Sequence, residues 1–208
     1  MTDRPRPQIS SRKQPKQARS AELVAAILQA AIQVLAKEGA QRFTTARVAE
    51  KAGVSVGSVY QYFPNKASIL FRLQTDEWKQ TTDMMRGALE APGKPPLERL
   101  RNLVHVFVQS ECEEVEMRGA LDDAAPLYRN APEAQEARAA VQETIDKFML
   151  EVWPGANADA RTMAGDMILT TLSTMGKHVS NTARTPAEAR TYGDAIADMF
   201  CAYLEQGL

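Results

Sequence analysis

The stretch Thr44–Lys66, TTARVAEKAGVSVGSVYQYFPNK, constrains this chain more than any other. It reads as two short helices joined by a tight turn. Thr44 or Thr45 supplies the first N-cap, because a hydroxyl oxygen there accepts a hydrogen bond from a free amide of the first turn. Glu50 lies too far along to complete a capping box, so the hydroxyl works alone. Val48, Ala49 and Ala52 form the apolar face of this helix. Gly53 stands where the chain reverses, in a conformation that is cheap only for glycine. Val54 fills the angle, and Ser55 caps a second helix running through Val56, Gly57, Ser58, Val59, Tyr60, Gln61 and Tyr62. Val59 and Phe63 are expected inward. Val56, Ser58, Gln61 and Tyr62 are expected outward, with Tyr60 at the edge.

The flanking sequence is helical as well. Leu23, Ile27, Ala30, Ala31, Val34 and Leu35 recur at helical spacing behind a Ser20 cap, and Gly39 closes that helix. A two-helix motif needs such a third helix to cover its apolar faces. From Lys66 to about Glu90 the pattern is one long helix, stopped by Pro92-Gly93-Lys94-Pro95-Pro96. Further helices are expected near residues 97–115, 118–128, 133–153, 158–183 and 186–205, the last opening on Pro186. No β-branched alternation competes. The expected fold is all-α, with about nine helices in three parts: a basic arm over residues 1–19, a three-helix unit over 20–66 and a helical body over 67–208.

Charge separates these parts. Lys and Arg outnumber Asp and Glu by 11 to 4 in residues 1–66 and are outnumbered 14 to 22 in the remainder. The formal net charge of −1 conceals this. A basic head on an acidic body suits a polyanionic partner met by the head alone. The arm carries Arg4, Arg6, Arg12, Lys13, Lys16 and Arg19 among three prolines. It is either a solubilising tail or a strand that follows phosphates and enters the minor groove. No secretory h-region precedes the head, and no apolar run is expected to reach the length of a membrane span. Cys112 and Cys201 match no metal or redox spacing and read as buried thiols in a reducing compartment. The expected location is the cytoplasm.

Thr44-Thr45, Val48-Ala49, Ala52-Gly53-Val54-Ser55, Gly57-Ser58-Val59-Tyr60, Tyr62-Phe63 and Lys66 together resemble the N-terminal domain of the tetracycline-repressor (TetR) family, over roughly residues 20–70. The resemblance implies a helix-turn-helix whose second helix enters the major groove of DNA. In the family, positions matching Thr45, Ser55, Gly57, Tyr60, Tyr62 and Lys66 touch DNA. The residue types agree: hydroxyls and an ammonium bond phosphate oxygens, and Gly57 lets the backbone approach. Base reading then falls to Val56, Ser58 and Gln61, with Gln61 suited to adenine and Val56 to a thymine methyl. Arg47 reaches either the groove or a phosphate. Ala46 stands where the family often has a basic or polar residue.

The resemblance also implies that the body binds a small-molecule effector and forms a homodimer. The body's own sequence adds Met and aromatic residues suited to an adaptable apolar cavity. Candidate lining residues are Trp78, Met85, Phe107, Phe148 and Met175, with His105 and Tyr128, and also His178, as polar groups. For the dimer interface, a stripe of small and apolar residues suggests Gly165, Leu169, Leu172 and Gly176. A second stripe on the last helix adds Ile196, Phe200, Tyr203 and Leu204. The function this implies is a ligand-responsive regulator, a repressor that binds a palindromic operator as a dimer and is released by a small apolar effector. An architectural DNA-binding protein is the alternative, although its basic charge would be spread over the whole surface. An enzyme is not expected. Asp122-Asp123 is the one adjacent carboxylate pair near a plausible cavity, and no nucleophile, phosphate loop, metal cluster or cofactor fingerprint accompanies it.

Overall fold

The computed structural model describes Ile9 and residues 18–124, 130–183 and 185–206, with only the backbone of residues 18 and 124. These residues form nine α-helices and no strand. They are α1 (Ala18–Arg42), α2 (Thr45–Ala52), α3 (Val56–Tyr62), α4 (Lys66–Leu89), α5 (Pro96–Glu113), α6 (Val115–Ala124), α7 (Pro132–Val152), α8 (Ala158–Thr182) and α9 (Pro186–Glu205). The all-α expectation and the helix count agree with this. The five basic residues of the arm before Arg19, together with Tyr128, lie outside the described residues.

The described residues group into two compact units. One takes those of Met1–Trp78 and Glu116–Ala134; the other takes those of Lys79–Val115 and Gln135–Leu208. The division falls inside α4, beyond the boundary at residue 66 that the sequence suggested, and α6 joins the first unit. Chain order could not reveal that return, because α6 is separated from α3 by two long helices.

In the first unit the core is built from α1, α2, α3, the start of α4 and α6. Ile27, Leu35, Phe43, Val48, Val59, Phe63, Ile69 and Leu121 are buried in it. Gly39 closes the main helix of α1, as its place in the sequence predicted. Its φ of 72° and ψ of 170° are not helical, and a short further helical stretch follows to Arg42. By length and composition α1 could cross a bilayer over Arg19–Arg42, which corrects the expectation that no segment approaches a span. Its two faces differ, however. Val24, Ile27, Ala31, Val34 and Leu35 are buried, whereas Glu22, Gln29, Gln33 and Lys37 are exposed. That pattern suits a helix covering a protein core. The buried side of α4 also holds polar groups: Gln74 donates to Glu77, and Glu77 pairs with Arg118 of α6 at 2.8 Å.

In the second unit α5 packs against both α8 and α9. Leu100, Leu103, Val104, Ile145, Met149, Ile168, Leu172, Ala197 and Leu204 fill its core. Two polar contacts fasten α5 to α9, the ion pair of Arg101 with Asp198 at 2.6 Å and the contact of His105 Nε2 with Asp194 at 3.2 Å. Their spacing, four residues on each helix and in opposite order, is that of two antiparallel helices in register. The Arg101 guanidinium is raised above its ordinary pKa by its hydrogen bond to Asp198. Arg99 is buried and closes the C-terminal end of α4 by donating to the Leu89 carbonyl, while its other nitrogen meets Glu151. The Trp153 indole donates to the Leu204 carbonyl at 2.8 Å, tying the end of α7 to the end of α9.

Candidate nucleic-acid interface

Local chemistry builds the turn between α2 and α3. Thr44, extended at φ −136°, is the N-cap of α2 and accepts from the Arg47 amide at 3.3 Å. At the other end Gly53 is left-handed, with φ 68°. Its amide donates to Glu50 O at 3.1 Å and the Val54 amide to Ala49 O at 3.0 Å. These two bonds form a Schellman motif, which satisfies carbonyls that a helix end otherwise leaves open. Ser55 then caps α3, accepting from the Ser58 amide at 3.0 Å, and its hydroxyl lies 2.8 Å from that of Ser58. Asn65 and Ser68 cap the start of α4 reciprocally.

This frame sets which side chains face outward. Val59 and Phe63 are fully buried, as their spacing predicted. Val56, Gly57, Tyr60 and Gln61 are exposed on the opposite side of α3, and Lys66 is exposed at the first position of α4. Tyr62, expected outward, is buried at 7% exposure, while Tyr60 is 42% exposed. The reason is helical geometry: Tyr62 is three residues from buried Val59 and lies near its face, whereas Tyr60 is four from exposed Val56. Thr45 is also buried, as the first residue of α2 behind the capping Thr44. Ser58 is half-buried and shares its hydroxyl with the cap, which limits it as a reader of bases. The Arg47 guanidinium forms an ion pair with Glu38 of α1.

The described body residues expected around an effector fall into the cores of the two units and onto the surface. Trp78 packs against the core of the first unit. Met85, Phe107 and Phe148 are buried in the core of the second, with Met175 against it. His105 turns to α9, where its ring covers Gly193 and its Nε2 meets Asp194. His178 is exposed on α8. A cleft of about 310 Å³ between α4 and α5 is lined by Gln80, Thr81, Met84, Val106, Gln109, Ser110, Glu113 and Glu114, none of them among the expected residues. Among the described residues no cluster of His, Cys, Asp and Glu could hold a metal ion.

The expected dimer stripe faces into its own protomer. Leu172, Ile196, Phe200 and Leu204 are buried, and Leu169 and Tyr203 are half-buried against the same core. Gly165 lies against Ile145 and Met149 of α7, and Gly176 against Phe107 of α5. The small residues admit neighbouring helices of the same chain. The large apolar side chains that α8 and α9 leave exposed are Met163, Met167, Tyr192 and Met199. Spacing missed these four because they alternate with Asp166, Thr170, Asp194 and Asp198 and so read as a polar face. Met163 and Met167, one helical turn apart, were the available signal.

Comparison with known proteins agrees with this architecture. The family described as bacterial regulatory proteins, tetR family, matches residues 27–73. The tetracyclin repressor-like C-terminal domain matches residues 95–207. The chain belongs to the TetR family of bacterial regulatory proteins. Among its relatives, the nucleoid occlusion factor SlmA of Vibrio campbellii is 38% identical over 106 residues, 50% of this chain and 53% of that protein. The HTH-type transcriptional repressor KstR of Rhodococcus jostii is 36% identical over 133 residues, 64% of this chain and 58% of that protein. The chain thus spans little more than half the length of these relatives. The fold is shared with the transcriptional regulator FadR of Bacillus subtilis, solved in complex with stearoyl-CoA, at a TM-score of 0.67 and 18% identity. That match covers 88% of this chain and 98% of that one.

Proposed function

We propose that this protein is a repressor of transcription that binds a palindromic operator as a homodimer and leaves it when a small apolar effector binds the body. The observation that carries the reading is the outward face of α3. Val56, Gly57, Tyr60 and Gln61 stand clear of the core on a helix fixed at both ends, with Lys66 exposed at the start of α4. Phosphate contacts come from Ser55, Tyr60 and Lys66, and base contacts from Gln61 and Val56. A single helix-turn-helix covers one half-site, so a two-fold dimer reads a palindrome. The second copy covers the outward faces of α8 and α9, where Met163, Met167, Tyr192 and Met199 are exposed. The effector acts by its differential affinity for two states of the dimer. The protein works beside DNA, in the cytoplasm.

The test begins with a randomised duplex library from which the protein enriches its own site. One protected palindrome is expected, with affinity falling by about 0.9 power of salt per phosphate neutralised. Lys66→Ala weakens all sequences alike, whereas Gln61→Ala removes about 1–3 kcal/mol of discrimination at one base pair. Indifference to both changes would sink the assignment of α3. Met167→Glu combined with Met199→Glu should yield a monomer in sedimentation and lose cooperative binding of the two half-sites. Stearoyl-CoA and triclosan, each solved in complex with a protein of this fold, serve as effector probes. An effector raises the melting temperature and releases the duplex.

A second reading has a specific observation behind it, the likeness to a nucleoid occlusion factor. The same head would serve it. Protection of many dispersed sites in a footprint of genomic DNA, with no compound that releases them, would favour that role over a repressor's.

A further inference from the structure

The ion pair between Glu38 and Arg47 has a consequence for how the head meets DNA. Glu38 lies on α1 just before the bend at Gly39, and Arg47 is the third residue of α2. Arg47 is placed where the first helix of the motif passes phosphates, its side chain is 45% exposed, and a free guanidinium there would be a natural phosphate ligand. It is not free. Its Nη1 meets Glu38 Oε2. If Arg47 turned to a phosphate, the Glu38 carboxylate would lose the counter-charge that lies against it. The carboxylate would also face the DNA as an uncompensated negative charge. Both effects hold the guanidinium on α1.

We infer that Glu38 is a positioning residue that keeps Arg47 off the DNA. The pair braces α2 against α1, and Arg47 adds nothing to the number of phosphates neutralised. This rests on the DNA-binding reading above and makes it more specific: of the two cations at the start of a helix beside α3, Lys66 is a contact and Arg47 is a strut.

The salt dependence of binding separates the two roles, because a strut can change affinity without changing the slope. The probe is the duplex enriched by the wild-type protein, titrated over a range of potassium chloride concentrations. Lys66→Ala should make the slope of log affinity against log salt shallower by about 0.9. Arg47→Ala should leave it at the wild-type value while weakening binding at every salt concentration. Glu38→Gln removes the counter-charge and releases Arg47, so the slope should steepen by about 0.9, and the double variant Glu38→Gln/Arg47→Ala should return it to the wild-type value. A shallower slope for Arg47→Ala, matching that of Lys66→Ala, overturns the inference, as does an unchanged slope for a folded Glu38→Gln. Thermal unfolding shows whether each variant folds; if Glu38→Gln does not, the Arg47→Ala slope decides alone. A wild-type protein with no salt-dependent binding would instead remove the DNA-binding reading itself, and this inference with it.

Discussion

Gly53 in the first unit and Gly176 in the second are both indispensable glycines, for opposite reasons. Gly53 has φ 68°, and a Cβ added to it would meet nothing within 4 Å. It is needed for its backbone. Gly176 sits in the ordinary helical conformation of α8, but a Cβ there would lie 2.7 Å from Cε1 of Phe107 and 3.2 Å from Glu111. It is needed for its emptiness. Gly193 of α9 is of the second kind, with His105 Nδ1 2.9 Å from the position of a Cβ. The head is therefore governed by short-range rules such as caps, a left-handed turn and helical facing. The body is governed by which helices happen to meet.

Substitutions can break or sharpen that contrast. The largest effect is expected at Gly176→Val, which overpacks the contact between α5 and α8 and should lower stability by about 1–3 kcal/mol in a thermal or urea melt. Phe107→Leu in the same chain should recover part of the loss, since the two side chains compete for one space. Next comes Gly53→Ala, at about 1–2 kcal/mol for forcing a Cβ into the left-handed region. Asn tolerates that region, so Gly53→Asn should cost less than Gly53→Ala, while Gly176→Asn should be no better than a larger apolar residue. If Asn rescued both sites, or neither, the distinction between the two glycines would collapse. Thr44→Ala removes the cap of α2 and should cost about 1 kcal/mol, with Ser55→Ala similar at α3. The smallest effect concerns the thiols. Burial pushes the Cys201 and Cys112 thiols above their ordinary pKa, and Glu111 and Glu113 add to the shift at Cys112. Both should react with iodoacetamide more slowly than an unfolded thiol at neutral pH, and catch up as pH rises. Cys112, half-buried, should lead Cys201, which is 7% exposed.

Legibility followed the same line. In the head, Thr44 and Ser55 as caps, Gly53 as the turn, and Val59 and Phe63 as core were all readable, because each depends on neighbours within four residues. The error on α3, Tyr62, was one of facing within a single helix, and counting three residues on from Val59 would have avoided it. The pairing of Glu38 with Arg47 was not readable, since it crosses the bend at Gly39 and the turn at residues 43–44. In the body the helix boundaries were close, because Pro95-Pro96, Pro132, Pro154-Gly155 and Pro186 punctuate it. The assignment of faces was not. A stripe such as Gly165, Leu172 and Gly176 shows that something packs closely. It cannot say whether that is α5 and α7 of the same chain or a second copy.

The sequence by itself determined the nine helices of the described residues, the turn that orients α3, the separation of basic head from acidic body, and membership of a family whose head motif is short and contiguous. These rest on local hydrogen bonding, on φ and on composition, all of which are fixed by residues near one another in the chain. Only the tertiary structure decided that α6 returns to the head, that the glycine stripe of α8 is filled from within, and that Met163, Met167, Tyr192 and Met199 are the large apolar side chains α8 and α9 leave outside. Those outcomes depend on which amphipathic faces cover one another. Apolar burial is non-directional, so periodicity can show that a face must be covered without showing what covers it.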